Sequence, residues 1–525
     1  MMKNNKMKNI FALFLLLFVC NSCTDLDIAP EDAFTEDVVF QDPAAYRSYL
    51  AKVYGAFSLT GQDGPNGEAD ISIVNDEGFT SYIRAYWKAQ ELTTDEAVCG
   101  WTDAGIRDLH EHSWSSENQF VRVLYYRIAL IVSIANDFLK QSSPESLDRN
   151  GIDQSERADI EQYTREARYL RALAYWHALD LFRNVSIVTE ITADLPEQST
   201  PEELFAFIES ELADIENQMP APRANEYGRA DQAAVWMLQA KLYLNAEAMT
   251  GQSHYTECIN ACRKVIDAGY SLDDTYANLF NLENDSSSEI IFALNSDGKN
   301  SQNWGNTTFL VQAAIGGSMV DSDSGVSGGW AGLRTTSTML DKFPDLTGDI
   351  DKRAIFYTDG QNIEINDIGE FTDGIAVPKF KNLDAQGNPG SDPTHVDTDY
   401  PMFRLADAYL MYAESILRGG EGGDIDEALM LINEIRNRAY QDQSGNITMD
   451  ELTLDFILDE RVRELYWEAT RRIDLVRFNQ YTENGVWPWK GNVKEGMVTE
   501  KFRDIFPIPA SDLLSNPKLE QNFGY

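Results

Sequence analysis

The sequence predicts a mainly α-helical protein, a solenoid of packed helix pairs that is interrupted by a loop-rich insertion. Apolar residues recur at helical spacing in long segments, most clearly over residues 163–182. Two later pairs of segments share one pattern of small and apolar residues, which indicates an internal repeat. Between residues 270 and 403 the composition changes to Gly, Ser, Asp and Asn with short apolar runs, which is typical of loops and short strands.

The first two helices have clear sequence signals. One stripe of the segment 163–182 is apolar and contains Ala167, Leu170, Ala174, Ala178 and Leu181. A second helix is expected over 201–219, because Thr200 is a good N-cap and Pro201 suits the first helical position. Acidic residues in the first turn of this segment favour the same start.

The repeated pairs are 230–249 with 255–268, and 404–418 with 424–439. In each pair, Tyr-Leu and then Ala-Glu close the first helix before a break. Small residues let the second helix pack closely on the first, as in helix-turn-helix solenoids. The pairs resemble degenerate tetratricopeptide repeats, although the full consensus is met nowhere. One last long helix is predicted over about 451–478.

Residues 59–118 share the loop-rich character of residues 270–403. Short apolar runs in the second segment, such as 290–294 (IIFAL), predict short strands. Irregular segments on a rigid helical frame are where binding sites usually lie. We therefore expect the functional site in these two segments.

The N-terminal segment has the pattern of an export signal. Lysines precede an apolar run over 10–19 that is too short to cross a bilayer, and small or polar residues then lead to Cys23. The pattern predicts a lipoprotein signal over residues 1–22, acylation of Cys23 and a mature chain of residues 23–525. Ordinary secretion with cleavage elsewhere is the alternative. Asp25 and Asp27 resemble the acidic export tag of surface-displayed lipoproteins, which favours the outer membrane and the cell exterior.

The chain is strongly acidic, with a formal net charge of −42 at pH 7. Such a field repels nucleic acid and anionic lipid headgroups, so both are poor partners. A neutral ligand is unaffected by it.

Three of the ten tryptophans are candidate ligand contacts. Three others lie in periodic helices and are expected in the core: Trp176, Trp236 and Trp467. In contrast, Trp101, Trp304 and Trp330 each lie in a polar, glycine-containing stretch that cannot readily bury an indole within its own segment. Aromatic faces pack against the apolar face of a sugar ring, while hydroxyl groups need placed polar partners. From the residues alone, ligand contact and burial remain open alternatives.

Three stretches carry a family resemblance. They are 25–30 (DLDIAP), 464–478 (ELYWEATRRIDLVRF), and the C-terminal 506–509 (FPIP) with 516–525 (NPKLEQNFGY). Together they resemble the SusD/RagB family of outer-membrane nutrient-binding lipoproteins, over essentially the whole chain. The internal stretches 228–231 (GRAD) and 371–374 (FTDG) are closer still to the starch-binding member of that family.

The resemblance implies one SusD-like domain over 23–525, with four tetratricopeptide-type helix pairs and a loop-rich insertion. It also implies a protein without catalytic activity or a required cofactor. Its expected role is to capture starch-like α-glucan (maltooligosaccharide) at the cell surface and pass it to a SusC-like TonB-dependent porin. The same role with a different polysaccharide is the alternative.

The resemblance further implies an aromatic arc of Trp101, Trp304 and Trp330, in which Trp304 replaces a tyrosine of the starch-binding member. Asp76 and Arg84 match polar contacts, and Arg84 can donate a forked pair of hydrogen bonds to adjacent hydroxyls. A curved arc suits a helical α-1,4-glucan better than a flat β-linked chain.

The chain departs from the pattern after Trp101, where the starch-binding member has an asparagine. Here the sequence is Thr102-Asp103-Ala104, and the Asp103 carboxylate can accept a hydrogen bond but cannot donate one. A weaker match concerns a structural calcium ion at Asp285, Asp397 and Asp399, since hard oxygen ligands suit calcium. In a chain with 85 acidic residues, solvated surface carboxylates are the competing interpretation.

Two rival functions remain open at the level of sequence. We find no metal-protease motif, nucleophile elbow or phosphate-binding glycine loop in the sequence, but a glycosidase needs only two carboxylates. A protein-interaction scaffold without sugar binding is the second rival, because solenoid repeats commonly bind peptides.

Overall fold

The computed structural model describes residues 36–74 and 76–525, and for residues 36 and 37 the backbone alone. The predicted signal segment 1–22 and the predicted lipidation site Cys23 lie outside the described residues. None of the described helices combines the length and the apolarity needed to cross a bilayer.

The N-terminal helices build one side of the frame. They are α1 (Glu36–Val39), α2 (Pro43–Gly55), α3 (Tyr82–Glu91), α4 (Ile106–Glu111), α5 (Gln119–Gln141), α6 (Pro144–Arg149), α7 (Arg157–Phe182) and α8 (Pro201–Glu216). The predicted stripe of α7 is buried, and α7 packs on α2, α5 and α8. Helix α8 begins as predicted, with a capping box: Glu203 N donates to Thr200 Oγ1 at 3.2 Å, and Thr200 N donates to Glu203 Oε2 at 2.9 Å.

The C-terminal helices continue the frame. They are α9 (Gln232–Leu244), α10 (Ala246–Thr250), α11 (Tyr255–Ile266), α12 (Asn306–Ala313), α13 (Ser337–Leu340), α14 (Leu405–Leu417), α15 (Ile425–Tyr440), α16 (Leu454–Leu465), α17 (Arg471–Arg477) and α18 (Ala510–Ser515). Helix α9 packs on α11, α11 on α14, and α14 on α15 and α16. The predicted mainly α architecture of packed helix pairs is confirmed.

The predicted helix over 230–249 is divided at Asn245, which ends α9 and precedes α10. The Asn245 side chain donates to Lys241 O at 2.8 Å and accepts from Arg477 Nη1 at 2.7 Å. Its polar atoms thus bond to a remote helix and to the end of α9, and the helical ladder stops there.

The long C-terminal helix predicted over 451–478 is wrong as a single element. The structure has two helices, α16 and α17, and Trp467 between them takes a positive φ of 66°. Remote residues hold this break: Trp87 Nε1 donates to Trp467 O at 3.0 Å. In addition, Trp467 N and Thr470 N donate to the carboxylates of Glu96 and Glu91, both at 3.0 Å. These long-range bonds outweigh a helical periodicity that continues through the break.

Two short antiparallel sheets organise the loop-rich segments. Strand β1 (Ala97–Cys99) pairs with β3 (Leu333–Thr335), and β2 (Ile290–Leu294) pairs with β4 (Tyr400–Arg404). Because β1 belongs to 59–118 and β3 to 270–403, their pairing joins the two segments in which the sequence predicted the site.

The loop-rich description of 59–118 misses a buried helix. All ten residues of α3 are buried, and the helix packs on α5, α12 and α17. Its Arg84, Lys88 and Glu91 make the segment look polar, and only contacts with other elements account for their burial. Helix α3 precedes β1 and therefore sets where the chain enters the site.

Candidate functional site

The predicted aromatic and polar site residues meet in one concave site with a volume of about 390 Å³. It is lined by Asp76, Phe79, Arg84, Trp101, Asp103, Trp304 and Trp330. The structure thus brings together all six predicted sugar-contacting residues and adds Phe79.

The three indoles form a curved wall. Trp330 stands in the middle, with its ring centroid 6.2 Å from that of Trp101 and 6.1 Å from that of Trp304. The ring planes are inclined by 50° and 55° respectively. Each indole is half-buried, so part of its surface stays accessible. Because neighbouring rings are inclined and all three line one concave site, they form a curved surface and not a flat one.

Two hydrogen bonds and one close packing contact fix two of these indoles. Trp101 follows β1, and its Nε1 donates to Trp330 O at 2.9 Å. Trp330 N in turn donates to Gln312 O near the end of α12 at 2.7 Å. The Trp101 indole lies directly on Gly332, where a Cβ atom would stand 2.5 Å from Trp101 Cε2. Glycine is therefore required at position 332 for this ring position.

Trp304 precedes α12 and is held from several sides. Its carbonyl accepts from Arg84 Nη1 at 2.8 Å, and its Nε1 donates to Asn66 Oδ1 at 3.2 Å. Its ring centroid lies 4.6 Å from that of His395. Gly78 leaves room for it, because a Cβ there would stand 2.6 Å from Trp304 Cβ.

Two basic residues of α3 lie behind the wall. Arg84 is 4% exposed, and its Cζ lies 5.5 Å from the ring centroids of both Trp101 and Trp330 and 4.6 Å from that of Phe79. Lys88 Nζ, one turn later, lies 4.5 Å from the Phe79 centroid. Burial lowers the pKa of Arg84 to about 10. Burial, and then the charge of Arg84, holds the pKa of Lys88 well below its usual range.

One N–H group of Arg84 is committed to the wall, because Nη1 donates to Trp304 O. The guanidinium has five N–H groups, so the expected fork to two ligand hydroxyls does not require that bond to open. In the structure, Arg84 supports the aromatic wall through its cation–π contacts.

Carboxylates stand at the mouth of the site. Asp76 Oδ1 accepts from Gly78 N at 2.9 Å and fixes the turn that carries it. Burial, and then the charge of Asp76, raises the pKa of Glu77 to about 7. The half-buried Asp103 side chain makes no hydrogen bond to other described residues, so its oxygens are free to accept. Aromatic faces beside acceptors and a cation suit a ligand with apolar faces and several hydroxyl groups.

Comparison with known proteins identifies the family. A model described as the SusD family matches residues 345–525. The chain is 33% identical to the starch-binding protein SusD of Bacteroides thetaiotaomicron, over 100% of both chains. The chain belongs to the SusD family. A SusD-like protein, P25 of Formosa agariphila, is 24% identical over 99% of this chain and 100% of its own length.

The solved structure of a glycan-binding protein shares the fold. Surface glycan-binding protein A from Bacteroides thetaiotaomicron, in complex with laminarihexaose, superposes with a TM-score of 0.70 at 18% identity. The match covers 91% of this chain and 99% of that one. At this identity the likeness shows the fold alone.

Sequence reasoning missed several residues of this site. Phe79 lies between the predicted site residues Asp76 and Arg84 and could have been found as an aromatic residue that they bracket. Asn66 and His395 lie in polar segments without periodicity, and only folding brings them to Trp304.

The predicted calcium residues lie in a different cavity of about 760 Å³, which Asp285, Asp397 and Asp399 all line. Asp397 Oδ1 accepts from Gly298 N at 2.6 Å, and Asp399 Oδ1 accepts from Ser296 N at 2.7 Å. Burial raises the pKa of Asp399 to about 7. Across residues 36–74 and 76–525, no group of three or more His, Cys, Asp or Glu side chains converges as a metal site. The structural calcium ion at these three residues stays a prediction.

Proposed function

We propose that this protein is a lipid-anchored glycan-binding protein of the outer membrane. It captures starch-like α-glucan at the cell exterior and passes it to a SusC-like TonB-dependent porin. Its function is binding and delivery, without hydrolysis of the chain.

The curved wall of Trp101, Trp330 and Trp304 carries this proposal. Neighbouring rings are inclined by 50° and 55°, so they can follow a ligand that bends as it passes. A helical α-glucan bends in this way and presents one sugar face after another, whereas a flat chain contacts fewer of the rings. The 33% identity to a starch-binding protein over the full length supports the same ligand.

Calorimetric titration with maltoheptaose tests the ligand. We expect binding by the wild-type protein and, for Trp304→Ala, a loss of about 2 kcal/mol, or about thirtyfold in affinity, because an aromatic anchor is removed. The control is Phe523→Ala, since Phe523 is 91% exposed, lies outside the site and should leave the affinity unchanged. Equal affinities of the Trp304→Ala and wild-type proteins would contradict the assignment of the site.

A different glycan is the second candidate, because a solved structure of the same fold contains laminarihexaose. Laminarihexaose is therefore the competing probe in the same titration. If the wild type binds laminarihexaose more tightly than maltoheptaose and Trp304→Ala loses this binding, the site assignment stands and the proposed ligand is wrong.

The other parts of the proposal have separate tests. The protein is incubated with maltooligosaccharides, and the appearance of shorter products would contradict a pure binding role. Retention of a protein partner, with no sugar affinity in the wild type, would favour a protein-interaction scaffold.

Cys23→Ala should move the protein from the membrane to the soluble fraction, and the anchored protein should co-purify with the porin. A tether raises the local concentration of the binder near its partner, so modest affinity for sugar suffices.

A further inference from the structure

A segment outside the concave site reaches Trp304. Asn66 Oδ1 accepts from the indole Nε1 at 3.2 Å, and the two residues are 238 positions apart in the chain. The N–H of Trp101, by contrast, is bonded within the arc, to Trp330 O at 2.9 Å. Trp304, at one end of the wall, is therefore oriented by a residue that does not line the cavity.

The segment that carries Asn66 is closed at its base by a buried cation. Arg127 of α5 is 0% exposed, and its Nη2 donates to Thr60 O at 3.3 Å while its Nη1 reaches Asp70 Oδ2, also at 3.3 Å. Asp70 N donates to Thr60 O at 2.8 Å, so residues 60–70 form a closed loop with Asn66 between its ends.

The same cation also holds the turn at the mouth of the site. Arg127 Nε donates to Thr80 O at 2.7 Å, and Thr80 ends the turn that carries Asp76 and Gly78. The Asn66 loop and this turn thus share one rigid support, which preorganises both against Trp304.

The two polar atoms of the Asn66 side chain have different surroundings. Oδ1 bonds to Trp304, whereas the amino group has no partner among the residues that the structure describes, and Asn66 is exposed. An amide nitrogen donates hydrogen bonds, which the carboxylates Asp76 and Asp103 at the mouth cannot do when ionised.

From this geometry we propose that Asn66 is a specificity-determining residue of the glycan site. Its Oδ1 fixes the orientation of the Trp304 indole, and its Nδ2 donates to a hydroxyl of the sugar that packs on that ring. This inference rests on the proposed function. It identifies Nδ2 of Asn66 as a hydrogen-bond donor beside the arc.

Two variants separate these roles. Asn66→Asp keeps an acceptor for the indole and removes the donor, while Asn66→Ala removes both. Since one hydrogen bond is worth roughly a factor of five, maltoheptaose affinity should fall about fivefold in Asn66→Asp and about 25-fold in Asn66→Ala. Gln62→Ala, an exposed side chain of the same loop, is the matched control and should bind like the wild type.

A second measurement does not depend on the glycan. The indole N–H resonance of Trp304, assigned with Trp304→Phe, should shift in Asn66→Ala and stay in place in Gln62→Ala. Any of three results would overturn the inference. They are an unshifted Trp304 resonance in Asn66→Ala, wild-type maltoheptaose affinity in the Asn66 variants, and equal losses of that affinity in Asn66→Asp and Asn66→Ala. If the wild type binds neither maltoheptaose nor laminarihexaose, the proposed function fails, while the resonance still reports whether Asn66 orients the indole.

Discussion

Where β4 ends and the helical frame continues with α14, the guanidinium of Arg404 contacts three carboxylates, whereas in the aromatic site the guanidinium of Arg84 faces rings. Arg404 donates to Glu468 at 2.7 Å, to Glu289 at 2.8 Å and to Glu464 at 2.7 Å. Arg84 donates to the carbonyl of Trp304, and its Nε has no hydrogen-bond partner within the described part of the chain. Both side chains are buried, at 1% and 4% exposure.

The difference shows how one chain uses buried charge for two purposes. In the frame, burial opposes ionisation of Glu464, but the charges of Arg438, Arg404 and Arg353 prevail and lower its pKa to about 2. Compensated charges of this kind lock neighbouring helices together. Behind the wall, Arg84 remains incompletely satisfied, which costs stability and is typical of a functional site.

The sharpest test of this comparison replaces each arginine with methionine, which keeps most of the side-chain volume. Arg404→Met removes the one cation that all three buried carboxylates share, although Lys379, Arg438 and Arg353 still contact them, and we expect the free energy of unfolding to fall by about 3–5 kcal/mol. Arg84→Met removes one hydrogen bond and cation–π contacts, and we expect a fall of about 1–2 kcal/mol. Urea unfolding measures both, and equal losses would erase the distinction between frame and site.

The other end of α3 carries a second uncompensated group, which responds to pH. Burial, and then the charge of Glu96, raises the pKa of Glu91 well above its usual range, and burial raises the pKa of Glu96 to about 7. The charge of Arg471 lowers the pKa of both Glu91 and Glu96, whereas the charge of Asp95 raises that of Glu96 further. Arg471 and Asp95 themselves form an ion pair at 2.7 Å. Both carboxyls hold protons in the folded protein that they lose when unfolded. The free energy of unfolding should therefore fall as pH rises from the unfolded pKa of 4.5 through about 7 and beyond.

Glu91→Gln should flatten this fall, which we expect to be on the order of 2 kcal/mol between about pH 5 and 8. The amide keeps an acceptor for Thr470 N and removes one of the two titrating carboxyls, while Glu96 remains. Unfolding curves across that range measure it, with Glu197→Gln as the control, because Glu197 forms an exposed ion pair with Lys518. The same pH slope in the wild type and Glu91→Gln would show that neighbouring charges compensate Glu91 and Glu96, as the arginines compensate Glu464 in the frame.

The smallest expected effect concerns the packing of the wall. In Gly332→Ala, the added Cβ would stand 2.5 Å from Trp101 Cε2, so the indole must move. We expect a loss of about 1–2 kcal/mol in unfolding free energy, together with weaker maltoheptaose binding. Gly328→Ala is the matched control, because an added Cβ there meets no atom within 4 Å. Unchanged glycan affinity in Gly332→Ala would show that the position of Trp101 is not critical.

Much of the frame was predictable from local signals. Helix α7 follows from a stripe of small and apolar residues, and α8 from Thr200 and Pro201 at its start. Both signals lie within a few residues of the element that they specify. The burial of α3 and the break at Trp467 were not predictable, because contacts between residues hundreds of positions apart decide both.

For the site, the sequence by itself determined which side chains are available. Indoles in polar, glycine-containing segments cannot readily be covered by their own neighbours, which made Trp101, Trp304 and Trp330 candidate ligand contacts while burial stayed an open alternative. Only the tertiary structure decided that these rings form one arc, that Arg84 and Lys88 lie behind it and that Asn66 bonds to its outer edge. The physical reason is that local patterns report how a segment is solvated, whereas the shape of a site depends on which distant segments pack together.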